Sequence, residues 1–281
     1  MKKNGKKEKA ENILEFKNYF KMKITVLVDN APGGELASEH GLSYFIEHNN
    51  YQLLFDTGHS DLFLRNAEKL GIDLAEVETV VLSHGHWDHG NGLVYLKNKT
   101  LISHPYVFIK RYRKEDNSYI GLNQNWKYYN RHFKLISTRI PYKITDSIYF
   151  LGEIPRLNDF ESKQTSFVDQ EGNDDFVIDD TALAFILKDE IAVVTACSHS
   201  GVCNIIEHAK KVTGIENVKL VIGGFHLKKN DETTKKTIKC LKENNINKIY
   251  PSHCTQLDAL TAFREHFDFE QVKTGMTFSI E

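Results

Sequence analysis

Cysteine is scarce in this chain. Four occur in 281 residues, Cys197, Cys203, Cys240 and Cys254, and no two form a C-x-x-C pair. A chain this long with so few has no use for a disulfide framework, so a reducing cytoplasm is the expected location. No apolar run approaches the length of a membrane span. The N-terminal stretch MKKNGKKEKAENILEFKNYFKMK is basic but lacks the apolar core of a signal peptide. Excess charge of one sign is also missing: 36 Lys and Arg face 38 Asp and Glu, a net charge of −2. That balance argues against membrane surfaces and nucleic acid as partners. Ser198 has no G-x-S-x-G elbow around it, which excludes a serine hydrolase of that type. The glycine-rich APGGEL at 31–36 lacks the Lys-Ser/Thr of a phosphate loop and reads as a turn. No short-period solenoid repeat is visible.

What remains is an ordinary globular composition, 41% apolar and 26% charged, enough for a sizeable core. Residues 1–21 read as a basic, partly disordered extension, and 22–281 as one large domain. MKITVLVDN is a strand, and LSYFIEH and YQLLFDTG form a hairpin about Asn49-Asn50. In DLFLRNAEKL, Leu62, Leu64, Ala67 and Leu70 recur at helical spacing, and Gly71 ends the helix. TVVLSH is a strand, and HGNGLVYLKN opens a helix. Later, TALAFILKDEIAVVTACSH gives two strands. GVCNIIEHAKKVTG is an amphipathic helix with Val202, Ile205, Ile206 and Ala209 on one face. Strands and helices then alternate to the end, which predicts an α/β architecture with helices covering sheet faces.

One pattern recurs in these strands. TVVLSH ends in His84, AVVTACSH in His199, KLVIGGFH in His226 and KIYPSH in His253. Strands of shared direction bring such ends to one edge of an α/β sheet, where ligands bind. His84 also opens SHGHWDHGNGL, which adds His86, Asp88 and His89 within six positions. Imidazoles with carboxylates suit Zn2+, Mn2+ or Fe2+ better than Ca2+ or Mg2+, which prefer oxygen alone. Two such ions sharing a hydroxide would give a nucleophile at neutral pH and a clamp on a developing oxyanion.

SHGHWDHGNGL resembles the H-x-H-x-D-H signature of the metallo-β-lactamase superfamily. YQLLFDTG, LGEIPRLNDFE, DDTALAF, ACSHSGVCNIIEHAK, VIGGFHL and PSHCTQLDA are similar to one subgroup. Its members are known as metal-dependent hydrolases or as dihydropterin-ribofuranosylaminobenzene-phosphate synthase-like proteins. The resemblance covers about residues 22–281. It implies an αββα sandwich of two mixed β-sheets flanked by helices, with two divalent metal ions at one edge, Zn2+ first and Mn2+ or Fe2+ next. It implies His84, His86, Asp88, His89 and His253 as metal ligands, with Asp56 orienting a ligand imidazole from behind. The superfamily's usual order places a His before one strand and a bridging Asp at its end. Here Asp179 and Asp180 precede ALAFIL, and His199 follows IAVVT. The expectation is an exchange, with Asp180 in the first place and His199 in the second. His226 reads as a general acid or a substrate-phosphate contact, Asp88 as a ligand that also takes part in catalysis, and Cys197 as a small buried residue or a soft ligand.

Residues 104–170 form a lid-like insertion in this reading. Its 104–134 part carries seven Lys and Arg against two Asp and Glu, among many aromatics, and 159–190 is strongly acidic. Arg111, Arg113 or Arg131 would pair a phosphate there, or the segment would contact a second copy of the chain. The function expected is a hydrolase using metal-bound hydroxide on a phosphoester or related ester-like small molecule, phosphorylated and ring-containing. The rival readings are a mononuclear iron oxidoreductase of dioxygenase type on the same fold, and a ligand-binding member without turnover.

Overall fold

A computed structural model describes residues 21–281, so the basic extension and its expected disorder lie outside the described residues. The first sheet begins with β1 (Met22–Val28), β2 (Ser43–His48) and β3 (Tyr51–Phe55). The β2–β3 turn carries Asn49 and Asn50 at φ 49° and 63°. Two such residues in succession give the turn whose twist matches a hairpin. Helix α1 (Leu62–Lys69) follows and buries Leu62, Phe63, Asn66 and Ala67. Leu70, expected on that face, is exposed at the helix end, and Asn66 is buried one turn earlier, donating to the carbonyls of Leu27 and Ala37.

After β4 (Thr79–Val81) comes α2 (Trp87–Gly90), a single turn continued by a 3-10 segment, Asn91–Tyr95. The longer helix expected there does not form. Next come β5 (Lys99–Ser103), β6 (Arg111–Arg113), α3 (Trp126–His132), β7 (Phe133–Ser137), β8 (Tyr142–Thr145), β9 (Ile148–Phe150) and β10 (Phe167–Asp169). The chain closes with β11 (Ala182–Leu187), β12 (Glu190–Thr195), α4 (Val202–Thr213), β13 (Val218–Gly224), α5 (Glu232–Glu243), β14 (Ile249–Ser252), α6 (Leu257–Arg264) and β15 (Thr277–Ile280).

Two mixed sheets result, in the orders β15-β1-β2-β3-β4-β5-β7 and β14-β13-β12-β11-β9-β8. Ile24, Phe55, Phe185, Val194 and Ile222 fill the space between them. Each such side chain contributes about 1.5–3 kcal/mol by leaving water. The outer face of the second sheet is covered by α4, whose Val202, Ile205, Ile206 and Ala209 are all buried as the spacing predicts. Leu62, Phe63 and Tyr129 cover the first sheet from outside. This is the αββα sandwich. The 104–170 insertion is not one lid: β7 extends the first sheet, β8 and β9 extend the second, and β6 pairs with β10 as a separate ribbon. No helix among the described residues is long and apolar enough to cross a membrane.

Candidate metal centre

Strands β12, β13 and β14 run parallel, as do β3, β4 and β5. Shared direction brings the residues after these strands to one edge, so Asp56, His84, His199, His226 and His253 converge. Asp56, Ser198, His226 and His253 all sit at positive φ, between 49° and 58°. Non-glycine residues rarely accept this conformation, and here it turns the chain sharply at each strand end. Gly85 is required for a different reason: a Cβ there would stand 2.0 Å from the Val107 carbonyl oxygen. The loop carrying His84 and His86 therefore lies flat against the turn at 105–108.

The donor atoms fall into groups of three within 4.8 Å of one another, and two of these groups contain no cysteine: the trio His84, His86 and His199, and the trio Asp88, His89 and His253. His84 Nε2 is 3.0 Å from His86 Nδ1, and His89 Nε2 is 3.1 Å from His253 Nε2. Two nitrogens sharing a tetrahedral zinc at about 2.0 Å stand roughly 3.3 Å apart, so these spacings suit a cation. Asp88 Oδ2 lies 3.5 Å from His253 and 3.7 Å from His89, and the exposed His40 reaches it at 3.2 Å.

The far nitrogens are held from behind. Asp56 Oδ2 lies 2.7 Å from His89 Nδ1 and accepts the Ser83 hydroxyl at 2.6 Å. That hydroxyl is 2.8 Å from His84 Nδ1. One buried carboxylate thus orients an imidazole of each trio, the role expected of it. His253 Nδ1 meets Asn30 Oδ1 at 3.1 Å. With both Nδ1 atoms committed, His89 and His253 point Nε2 at each other, and only a proton or a cation between them makes that approach favourable. Burial opposes charge on His89, but Asp88 and Asp56 outweigh it and hold its pKa up at about 9. Two carboxylates that hold a proton so firmly favour a divalent cation in its place. Burial pushes His84, His86 and His199 well below the ordinary imidazole value, leaving neutral donors. His86 Nε2, His199 Nε2 and His226 Nδ1 are buried without a partner among the described residues. The donor set fits metal.

Of the two residues in the exchanged-ligand expectation, the structure brings one among the other donors. His199 joins His84 and His86. Asp180 lies outside these groups, and its Oδ2 accepts the backbone N–H and the hydroxyl of Ser200. It braces the loop that delivers His199. His226 lies against His199, ring centroids 4.3 Å apart, and shares a donor group with it and Cys197.

A cavity of about 380 Å³ opens on the centre. Trp87, Phe167, Arg113 and Lys228 are in its wall. The β6–β10 ribbon supplies Phe167, whose ring stands 4.8 Å from that of His86. Of the three arginines expected to clamp phosphate, only Arg113 borders the cavity. Arg131 is exposed elsewhere on α3. Arg111 is fully buried, 2.9 Å from Asp179 and 3.2 Å from Asp175. The other oxygen of Asp179 accepts the Gly85 N–H, so this ion pair fixes the ligand loop rather than a substrate. His40, Asn30 and Lys228 were not signalled by any motif, although each lies within a few residues of a strand end: Asn30 after β1, His40 before β2 and Lys228 after β13.

A sandwich with such a cluster at its sheet edge has the form of a metal-dependent hydrolase fold. The chain belongs to the metallo-beta-lactamase superfamily, whose family model matches residues 38–210. It is 34% identical to an uncharacterized protein of Methanocaldococcus jannaschii, over 92% of this chain and 100% of that protein. It is 32% identical to the 7,8-dihydropterin-6-methyl-4-(beta-D-ribofuranosyl)-aminobenzene-5'-phosphate synthase of the same organism, over 90% of this chain and 95% of that one. The crystal structure of Tm1679, a metal-dependent hydrolase of the beta-lactamase superfamily, is similar with a TM-score of 0.81 and 30% identity. The match covers 92% of this chain and 99% of that one.

Proposed function

We propose that the protein is a hydrolase of phosphorylated, ring-containing small molecules that works with two divalent cations, Zn2+ first. The observation that carries this reading is the facing pair of donor trios at the floor of a cavity whose wall holds Arg113 and Lys228. Cations held by these donors would supply an activated water and positive charge for a developing oxyanion. The chain's own residues do the rest. Arg113 and Lys228 pair the phosphate. Phe167 and Trp87 offer faces to a planar ring and keep bulk water from the imidazoles. Asp88 is held well below the ordinary carboxylate range, burial being outweighed by His89, His253 and His40, so it is an anion at neutral pH. His226, at the cavity wall, would hand a proton to a leaving group.

Zinc-loaded protein assayed against phosphomonoesters, phosphodiesters and lactones tests this directly. Phosphate ester turnover, with KM raised several-fold or more by Arg113→Ala or Lys228→Ala and kcat little changed, is the expected result. Lactone turnover without phosphate ester turnover would refute it. A second reading rests on the name of the Methanocaldococcus relative: the same wall would hold the 5'-phosphate of a ribofuranosyl-aminobenzene compound during a synthase reaction. Formation of a product joining an activated dihydropterin to that compound, with the activating group leaving and the 5'-phosphate retained, would favour it.

A further inference from the structure

We propose that the Cys197 thiolate bridges the two cations, in the place where a shared carboxylate would otherwise stand. This rests on the metal-dependent reading above. Among the described residues no carboxylate joins both trios: Asp88 groups with His89 and His253 alone, and Asp180 joins neither. Cys197 does reach both. Its Sγ shares a donor group with His84 and His89, a second with His199 and His226, and a third with His253 and Cys254. Members of each trio are therefore within 4.8 Å of this one sulfur. The sulfur lies 3.3 Å from His89 Nε2. A sulfur at about 2.3 Å and a nitrogen at about 2.0 Å from one tetrahedral zinc stand roughly 3.5 Å apart, so this contact has the length of a shared ion. Cys197 is buried and faces the cavity floor. A thiolate has lone pairs for two cations and offsets their charge, which a neutral imidazole cannot do. Cys254 is a poorer candidate: it joins only the group with Cys197 and His253, and its Sγ points toward the Cys197 carbonyl at 3.5 Å.

The test strips the full chain of metal, refills it with Cd2+ and records the NMR spectrum of the bound cadmium. Two bound ions are expected, both with resonances shifted toward thiolate coordination. Both shifts should be lost in Cys197→Ser and kept in Cys254→Ser. A thiolate shift on one resonance alone would make the sulfur a terminal ligand and overturn the bridge. Shifts lost in Cys254→Ser but kept in Cys197→Ser would overturn it too, as would a single bound ion. Two bound ions with neither resonance shifted would overturn the bridge and leave the metal-dependent reading standing. A folded wild-type chain that takes up no Cd2+ would overturn both. If Cys197→Ser does not fold, the count of shifted resonances in the wild-type spectrum decides.

Discussion

Asp180 is a buried carboxylate with one oxygen on Ser200 and the other, Oδ1, without a partner among the described residues. Burial outweighs the Ser200 bonds and lifts its pKa from 3.8 to about 6. A raised carboxylate favours the folded state only while protonated. Its contribution is fully present below about pH 4 and is lost as pH rises through about 6. The whole shift amounts to about 3 kcal/mol, of which about 1–2 kcal/mol falls between roughly pH 5 and 7.5. In Asp180→Asn the amide oxygen keeps the Ser200 bonds and nothing titrates. The lone amide N–H adds a cost of about 1–3 kcal/mol that does not depend on pH. The variant should therefore gain on wild type as pH rises, by roughly 2–4 °C in Tm across that window for a domain of this size. Asp29, also lifted to about 6, titrates in both proteins and cancels in the difference. Melting curves of the two chelator-treated proteins, in steps of pH, give the measurement. A flat difference, or metal content that falls in Asp180→Asn when metal is restored, would refute the assignment of Asp180 as a brace.

Three other outcomes follow from the same geometry. His86→Ala and Asp88→Ala should each remove a donor from one trio, lowering bound metal and abolishing turnover while the circular dichroism spectrum persists; metal analysis of the folded variants checks this. Asp56→Asn should weaken metal affinity by about 10–100-fold, although Asp56 is not in either trio, because it orients His89 and, through Ser83, His84; competition against a chelator reads the change. Arg111→Met should cost about 3–5 kcal/mol in urea unfolding, since Asp175 and Asp179 would be left buried without their cation, whereas Arg131→Met should be near neutral.

The sandwich and the edge that carries the site were legible because both follow from rules with a single solution. Apolar strands alternating with amphipathic helices force parallel neighbours, and parallel neighbours force His199, His226 and His253 to one edge. Arg111 was misread because burial cannot be seen in a basic segment taken alone. The signal lay in comparing two segments. The basic residues of 104–134 are matched by the acidic ones of 159–190, and the structure pairs them as Arg111 with Asp175 and Asp179, and Lys114 with Asp174. Opposite runs of charge far apart in sequence predict a ribbon, here β6 with β10.

Which donor serves which trio was not legible, and the reason is local. The path after each strand depends on left-handed residues that no propensity predicts: Ser198 at φ 56° sets the direction of His199, and His226 and His253 turn at 50° and 49°. Asp180 and His199 are neighbours through Ser200, so proximity alone fits either order; only the hydrogen bonds of Asp180 decide. Cys197 shows the same limit from the other side. A cysteine at the end of a buried strand packs as a small apolar residue in most proteins. Nothing in ACSH separates that from a ligand. What separates them is a distance measured to two groups at once, and no pattern within one strand contains it. The missing carboxylate was visible in the sequence. Its replacement was not, because a bridge is a property of the space between two loops.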